Sequence, residues 1–271
     1  YVLSGMGDSG MMAYIYDSSL SLNKEIAVNE LLQGDFVVSE TGGVAASTDG
    51  KKLAFAALGG LYLYDLESGS LTTLLDVAQN AGTASISISM LNGAAFAQDN
   101  SQIVFFGSGS SIPAADGEED FSIYGSVAVD GSSLKLTKPS GYEMEEMQSS
   151  VSRLFFPQAF TQADGTLLWV DRATGSANTL SFSASGEGKD GVYVSEQGNY
   201  VATAVLDGNL TVRVYDVASG ELAATEVIEN SDPTYFYRIP RIYLLDGAKT
   251  AVVVLGGSID ELDTLVSVFE F

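Results

Sequence analysis

The segment Tyr235-Phe236-Tyr237-Arg238-Ile239-Pro240-Arg241-Ile242-Tyr243 gathers two of the chain's five arginines and three tyrosines within nine residues. A guanidinium is a planar fork suited to a carboxylate or phosphate, and a tyrosine joins an apolar face to a polar tip. That composition suits recognition of a ligand, with Tyr235, Tyr237, Arg238 and Arg241 as the binding residues. The competing reading is that the two arginines neutralise nearby carboxylates of an acidic protein.

Carboxylates form the second set of candidates. Asp116, Glu118, Glu119 and Asp120 lie within five residues and could gather oxygen ligands around Ca²⁺. They lack the alternating spacing of a calcium loop, so a solvated acidic loop tip is expected. The same expectation holds for Asp260, Glu261 and Asp263, and for Glu143, Glu145 and Glu146. No metal and no cofactor is expected.

Composition closes other routes. The 271 residues carry 35 acidic against 12 basic side chains, a net charge of -23, with no histidine and no cysteine. Ser-His-Asp and Cys-His catalysis, His- or Cys-ligated zinc, and disulfides all need absent residues. A polyanion such as nucleic acid is repelled by this field. A serine nucleophile with a lysine base is not signalled, because no strand-to-helix elbow is visible. No apolar run approaches the roughly 18 to 20 residues of a spanning helix, so no membrane span is expected.

The elements that would position these residues come from a repeat. Five apolar alternating runs end in aspartate and lead into a Ser/Gly-rich turn, at Asp17, Asp65, Asp130, Asp171 and Asp216. The intervals between them are 48, 65, 41 and 45 residues. Before most copies stands another strand, reached through a tight Asp-Gly, Asn-Ser or Gly-Asn turn, and before that a small-residue strand. Glycine and asparagine supply the positive φ such hairpins need, while Val, Ile, Tyr and Phe suit a pleated surface. The unit is therefore four antiparallel strands, a to d. The recurrent aspartate is expected to close its own turn by accepting backbone N–H groups, and Trp169 to belong to the core.

The run STDGKKLAFAALGGLYLYDLESGSLTTLL at 47 to 75 resembles a blade of the WD40-like and TolB-like β-propellers, and residues 190 to 228 resemble it nearly as well. The Gly-His and Trp-Asp dipeptides of true WD40 repeats are absent, so the resemblance concerns architecture alone. It implies an all-β chain, with residues 1–271 forming a single β-propeller of four-stranded antiparallel blades. Six blades are expected, five or seven being the alternatives. The first blade, residues 1 to about 33, shows no strand a, and the last, 238 to 271, no strand d. Before Thr166 the run from Arg153 to Phe160 contains Pro157, which predicts an edge or bulge.

In that architecture the b-c and d-a connections open on one face, and these are the irregular ones, from about 77 to 91, 107 to 121, 139 to 150, 184 to 190 and 229 to 237. The Tyr235 to Arg241 segment leads into an inner strand at this face. The other inner strands, 42 to 47, 93 to 98 and 191 to 195, carry no Asp or Glu, with Asp190 just outside. The expected function is a non-catalytic binding or sensory propeller presenting its loop-rich face to a protein, peptide or glycan. It is expected outside the cytoplasm: extracellular, periplasmic or cell-surface. The alternative is a carbohydrate hydrolase or lyase working through two carboxylates, with or without calcium.

Overall fold

A computed structural model describes residues 2–7, 10–33, 43–79, 81–113, 119–144, 146–158, 165–183, 187, 191–229, 240–256 and 264–271. The chain divides into two compact units, Tyr1–Met147 and Gln148–Phe271. Each contains three antiparallel sheets whose strands pair in the order in which they occur along the chain.

In the first unit, β1 (Val2–Gly7), β2 (Gly10–Tyr16) and β3 (Leu22–Ala27) form a three-stranded sheet, followed by one helical turn, α1 (Val28–Leu31). Two four-stranded sheets follow. One contains β4 (Val44–Ala46), β5 (Lys52–Ala57), β6 (Gly60–Asp65) and β7 (Leu71–Asp76); the other contains β8 (Ile86–Phe96), β9 (Gln102–Ser111), β10 (Phe121–Ala128) and β11 (Lys135–Thr137).

In the second unit, β12 (Gln148–Ser149), β13 (Arg153–Phe156), β14 (Thr166–Asp171) and β15 (Ala177–Ser181) form one four-stranded sheet. A second contains β16 (Val192–Val194), β17 (Tyr200–Asp207), β18 (Asn209–Asp216) and β19 (Leu222–Ile228). A three-stranded sheet of β20 (Arg241–Leu245), β21 (Thr250–Gly256) and β22 (Thr264–Glu270) ends the chain.

The small-residue strands explain how the sheets stack. In β5, Leu53, Phe55 and Ala57 enter one core cluster while Ala54 and Ala56 enter another on the opposite face. The middle sheet of the second unit does the same, Val201 and Tyr215 facing one cluster and Ala202, Ala204 and Val214 the other. Large side chains on one face and alanine on the other let the neighbouring layers approach, and each fully buried Leu or Phe contributes about 1.5–3 kcal/mol.

Two expectations need correction. β13 is an interior strand, paired with both β12 and β14, and is not an edge. It ends at Phe156, and a bridge at Gln158 follows, so Pro157 falls where the pairing is interrupted. Strands β8 and β9 extend well past the residues read as strand, with Ile86–Ile88 paired to Gly109–Ser111. The connections there shrink accordingly, to 77–85 and 112–120.

Candidate ligand-binding site

Antiparallel order fixes what each end of a sheet carries. The a-b and c-d turns occupy one end and contain three to six residues each. Adjacent sheets are clipped together there. In the first unit the Thr48 amide donates to Asn100 Oδ1 at 2.9 Å, and in the second Ser195 Oγ donates to Asp246 Oδ1 at 3.0 Å.

The recurrent aspartates complete these turns. Asp65 Oδ1 accepts the Glu67 and Ser68 amides and the Ser68 hydroxyl, and Oδ2 accepts Lys52 Nζ at 3.1 Å. Asp17, Asp130, Asp171 and Asp216 each accept a Ser or Thr hydroxyl and one or more backbone amides in the same way. Donation from Ser68 and Lys52 holds the Asp65 carboxyl far below the usual carboxylate range, and Ser19 and Ser132 lower Asp17 and Asp130. These acids serve as turn closures.

The opposite end bears the long connections, among them 138–147, 157–165, 182–191 and 229–240. β20 starts at this end, with Arg241 as its first residue. Burial alternates along β20: Ile242 and Leu244 enter the core, while Arg241, Tyr243 and Leu245 are exposed. Tyr243 is 52% exposed, so a cation and an aromatic face stand two residues apart on one side of the strand. Tyr243 was not among the expected binding residues, although the aromatic-rich run containing it was the available signal. Tyr235, Tyr237 and Arg238 lie outside the described residues.

The arginines differ in what they do. Arg153 Nη1 donates to the Gly198 carbonyl at 2.6 Å, with its guanidinium 4.9 Å from the Trp169 ring centroid. Arg172 Nη1 donates to the Ser150 carbonyl at 2.6 Å, and burial pulls its pKa down. Arg213 Nη1 stands 3.5 Å from Glu187 Oε2. Arg241 alone among the described arginines is exposed, and its guanidinium has no hydrogen bond or ion pair to another described residue. Its planar fork has the geometry to grip a carboxylate or phosphate.

Sequence reading missed Glu187, on the connection between β15 and β16. It is 2% exposed and is held from two strands and from its own connection: Thr203 Oγ1 and the Tyr215 hydroxyl donate to Oε1 at 2.6 and 2.7 Å, and Ser183 Oγ to Oε2 at 3.1 Å. Burial, and then the adjacent carboxylate, hold the Tyr215 phenol above its ordinary pKa, although donation from Ser183 works the other way. Through these bonds the carboxylate ties the connection to its sheet.

Glu119, Asp120 and Glu143 are exposed and Glu146 is half-buried, whereas Asp116, Glu118, Glu145, Asp190, Asp260, Glu261 and Asp263 lie outside the described residues. Among the described residues no group of three or more acids is arranged to hold a metal. Trp169 packs against the cluster of Phe155, Leu167 and Leu180, as expected of a core residue.

Comparison with solved structures matches this arrangement of sheets to known folds. The chain is similar to dihydro-heme d1 dehydrogenase NirN in complex with DHE, with TM-score 0.54 and 14% identity over all of this chain and 53% of that one. It is similar to a chain of the nidogen/laminin complex, with TM-score 0.50 and 10% identity over all of this chain and 92% of that one. The fold is a β-propeller. A third match is Kuenenia stuttgartiensis hydrazine synthase, with TM-score 0.50 and 15% identity over 88% of this chain. This propeller chain thus spans 53% of the NirN chain and 66% of the hydrazine synthase chain. At these identities the likeness is one of fold, in keeping with the WD40-like and TolB-like architecture of the repeats. No family model matches the sequence, and no curated protein matches it. Among the described residues no helix is long and apolar enough to cross a membrane.

Proposed function

We propose that residues 1–271 form a single propeller domain that binds, without catalysis, an anionic ligand at its loop-bearing end. The observation that carries this reading is Arg241. In a chain of net charge -23, an exposed guanidinium with no partner among the described residues is a place where a carboxylate or phosphate is favoured over the rest of the surface. Tyr243 adds an aromatic face beside it, and Tyr235, Tyr237 and Arg238 belong to the same sequence segment. The ligand class is an acidic protein, peptide or glycan. The nidogen/laminin complex supports a protein partner, since it is a propeller chain solved in a protein assembly.

A non-catalytic role is supported by the carboxylates. The strand-end aspartates close turns, Glu187 accepts hydrogen bonds from Ser183, Thr203 and Tyr215, and β4, β8, β16 and β20 contain no Asp or Glu. Exposure outside the cytoplasm is supported by the absence of cysteine, which leaves no thiol to be oxidised there. An array of acidic and neutral peptides and oligosaccharides tests the reading. Retention confined to acidic members, and weakened by salt, is expected. Cleavage of an oligosaccharide, or equal retention of neutral and acidic members, would overturn it.

A further inference from the structure

We infer that Tyr193 is a positioning residue for Arg241, a role that rests on the ligand reading of Arg241 and concerns how that side chain is aimed. Tyr193 lies in β16, the inner strand of the sheet next to β20, and its ring packs against the cluster containing Ile242 and Leu244. Its hydroxyl donates a hydrogen bond to the Pro240 carbonyl, 47 residues away. That carbonyl shares one rigid peptide plane with the Arg241 amide, so holding the oxygen orients the first bond of Arg241. Proline has no N–H of its own, and the carbonyl is therefore the one backbone polar group of Pro240 that can be gripped. On the other side Arg241 is paired with Val254 in the ladder.

Room for the tyrosine is built into the chain. Gly191 has φ of +146°, and a Cβ there would stand 2.7 Å from both Cε2 and the hydroxyl oxygen of Tyr193. Only glycine lets the ring lie where its hydroxyl reaches Pro240. Gly191, Tyr193 and Pro240 thus form a latch between two sheets of one unit, and the residue immediately after the latch is Arg241.

The latch and the ligand can be read separately. In Tyr193→Phe the ring and its packing stay while the hydrogen bond goes. Amide exchange of residues 241–245 should then quicken by about five- to tenfold, the effect of losing one hydrogen bond, while exchange in β12–β15 stays as in the parent. Gly191→Ala should produce the same local change. The second arm is affinity for an acidic peptide retained by the parent protein. Tyr193→Phe should weaken it by about five- to tenfold, and should weaken it no further once Arg241 is alanine. Unchanged exchange at 241–245 overturns the latch. Faster exchange with unchanged affinity overturns the positioning role. Affinity that Arg241→Ala leaves intact overturns the ligand reading and leaves the latch standing.

Discussion

The Tyr215 hydroxyl stands 2.7 Å from Oε1 of Glu187, and both residues are buried. Their sequence separation of 28 residues makes this contact the tie between a surface connection and the middle of a sheet. Replacing Glu187 by alanine removes the acceptor of the Thr203 and Tyr215 hydroxyls, leaving Tyr215 bonded to Ser183, and takes away the counter-charge of Arg213. The expected loss is about 3 kcal/mol, read as a lowered midpoint in urea, with Glu187→Gln losing less because the amide oxygen still accepts. A midpoint unchanged in Glu187→Ala would mean that the network carries no stability.

Acid should act through the turn aspartates. Asp65 has its folded pKa below the ordinary value of 3.8, because Ser68 and Lys52 stabilise the carboxylate. The unfolded chain therefore binds protons first as pH falls. The stability that Asp65 adds is complete above 3.8 and disappears as pH drops below it toward the depressed folded value. Melting temperatures of the parent and of Asp65→Asn, compared across pH, should differ most near neutrality and converge in acid. A difference that persists unchanged at pH about 2 would contradict the linkage.

Trp169 offers a probe of the second unit. Arg153 lies over its ring and also bonds the Gly198 carbonyl, so Arg153→Ala removes a cation–π contact and a charge-assisted hydrogen bond together. A loss of about 1–3 kcal/mol is expected, with tryptophan emission moving to longer wavelength as water reaches the indole. Emission identical to that of the parent would show that the stacking is absent in solution.

The architecture was legible because its signals are local. Gly50, Asn100 and Gly198 adopt positive φ in the a-b turns, and the aspartates at 17, 65, 130, 171 and 216 close the c-d turns with bonds to residues two to four positions away. The ends of β8 and β9 were less legible because Ser85 to Ser89 and Gly107 to Ser111 read as loop by composition. Glycine is nevertheless needed there, since a Cβ on Gly107 or Gly109 would run into the carbonyls of Met90 or Ser87.

The candidate site was only partly legible. Residue types pointed to Arg241, because an arginine among tyrosines is unusual in so acidic a chain. Glu187 gave no signal: its partners come from Ser183, Thr203, Arg213 and Tyr215, which no spacing along the sequence brings together. The latch from Tyr193 to Pro240 was hidden for the same reason, being a contact between neighbouring sheets.

The most direct test of the account is the affinity of the parent protein and of Arg241→Ala for a panel of carboxylate- and phosphate-bearing peptides and oligosaccharides, with the fold of both confirmed by circular dichroism. The account predicts that the parent binds some members of the panel and that the variant binds them about 10- to 100-fold more weakly, the effect of one charge-assisted contact. Equal binding by the two proteins, or a parent that binds no acidic member, would contradict it.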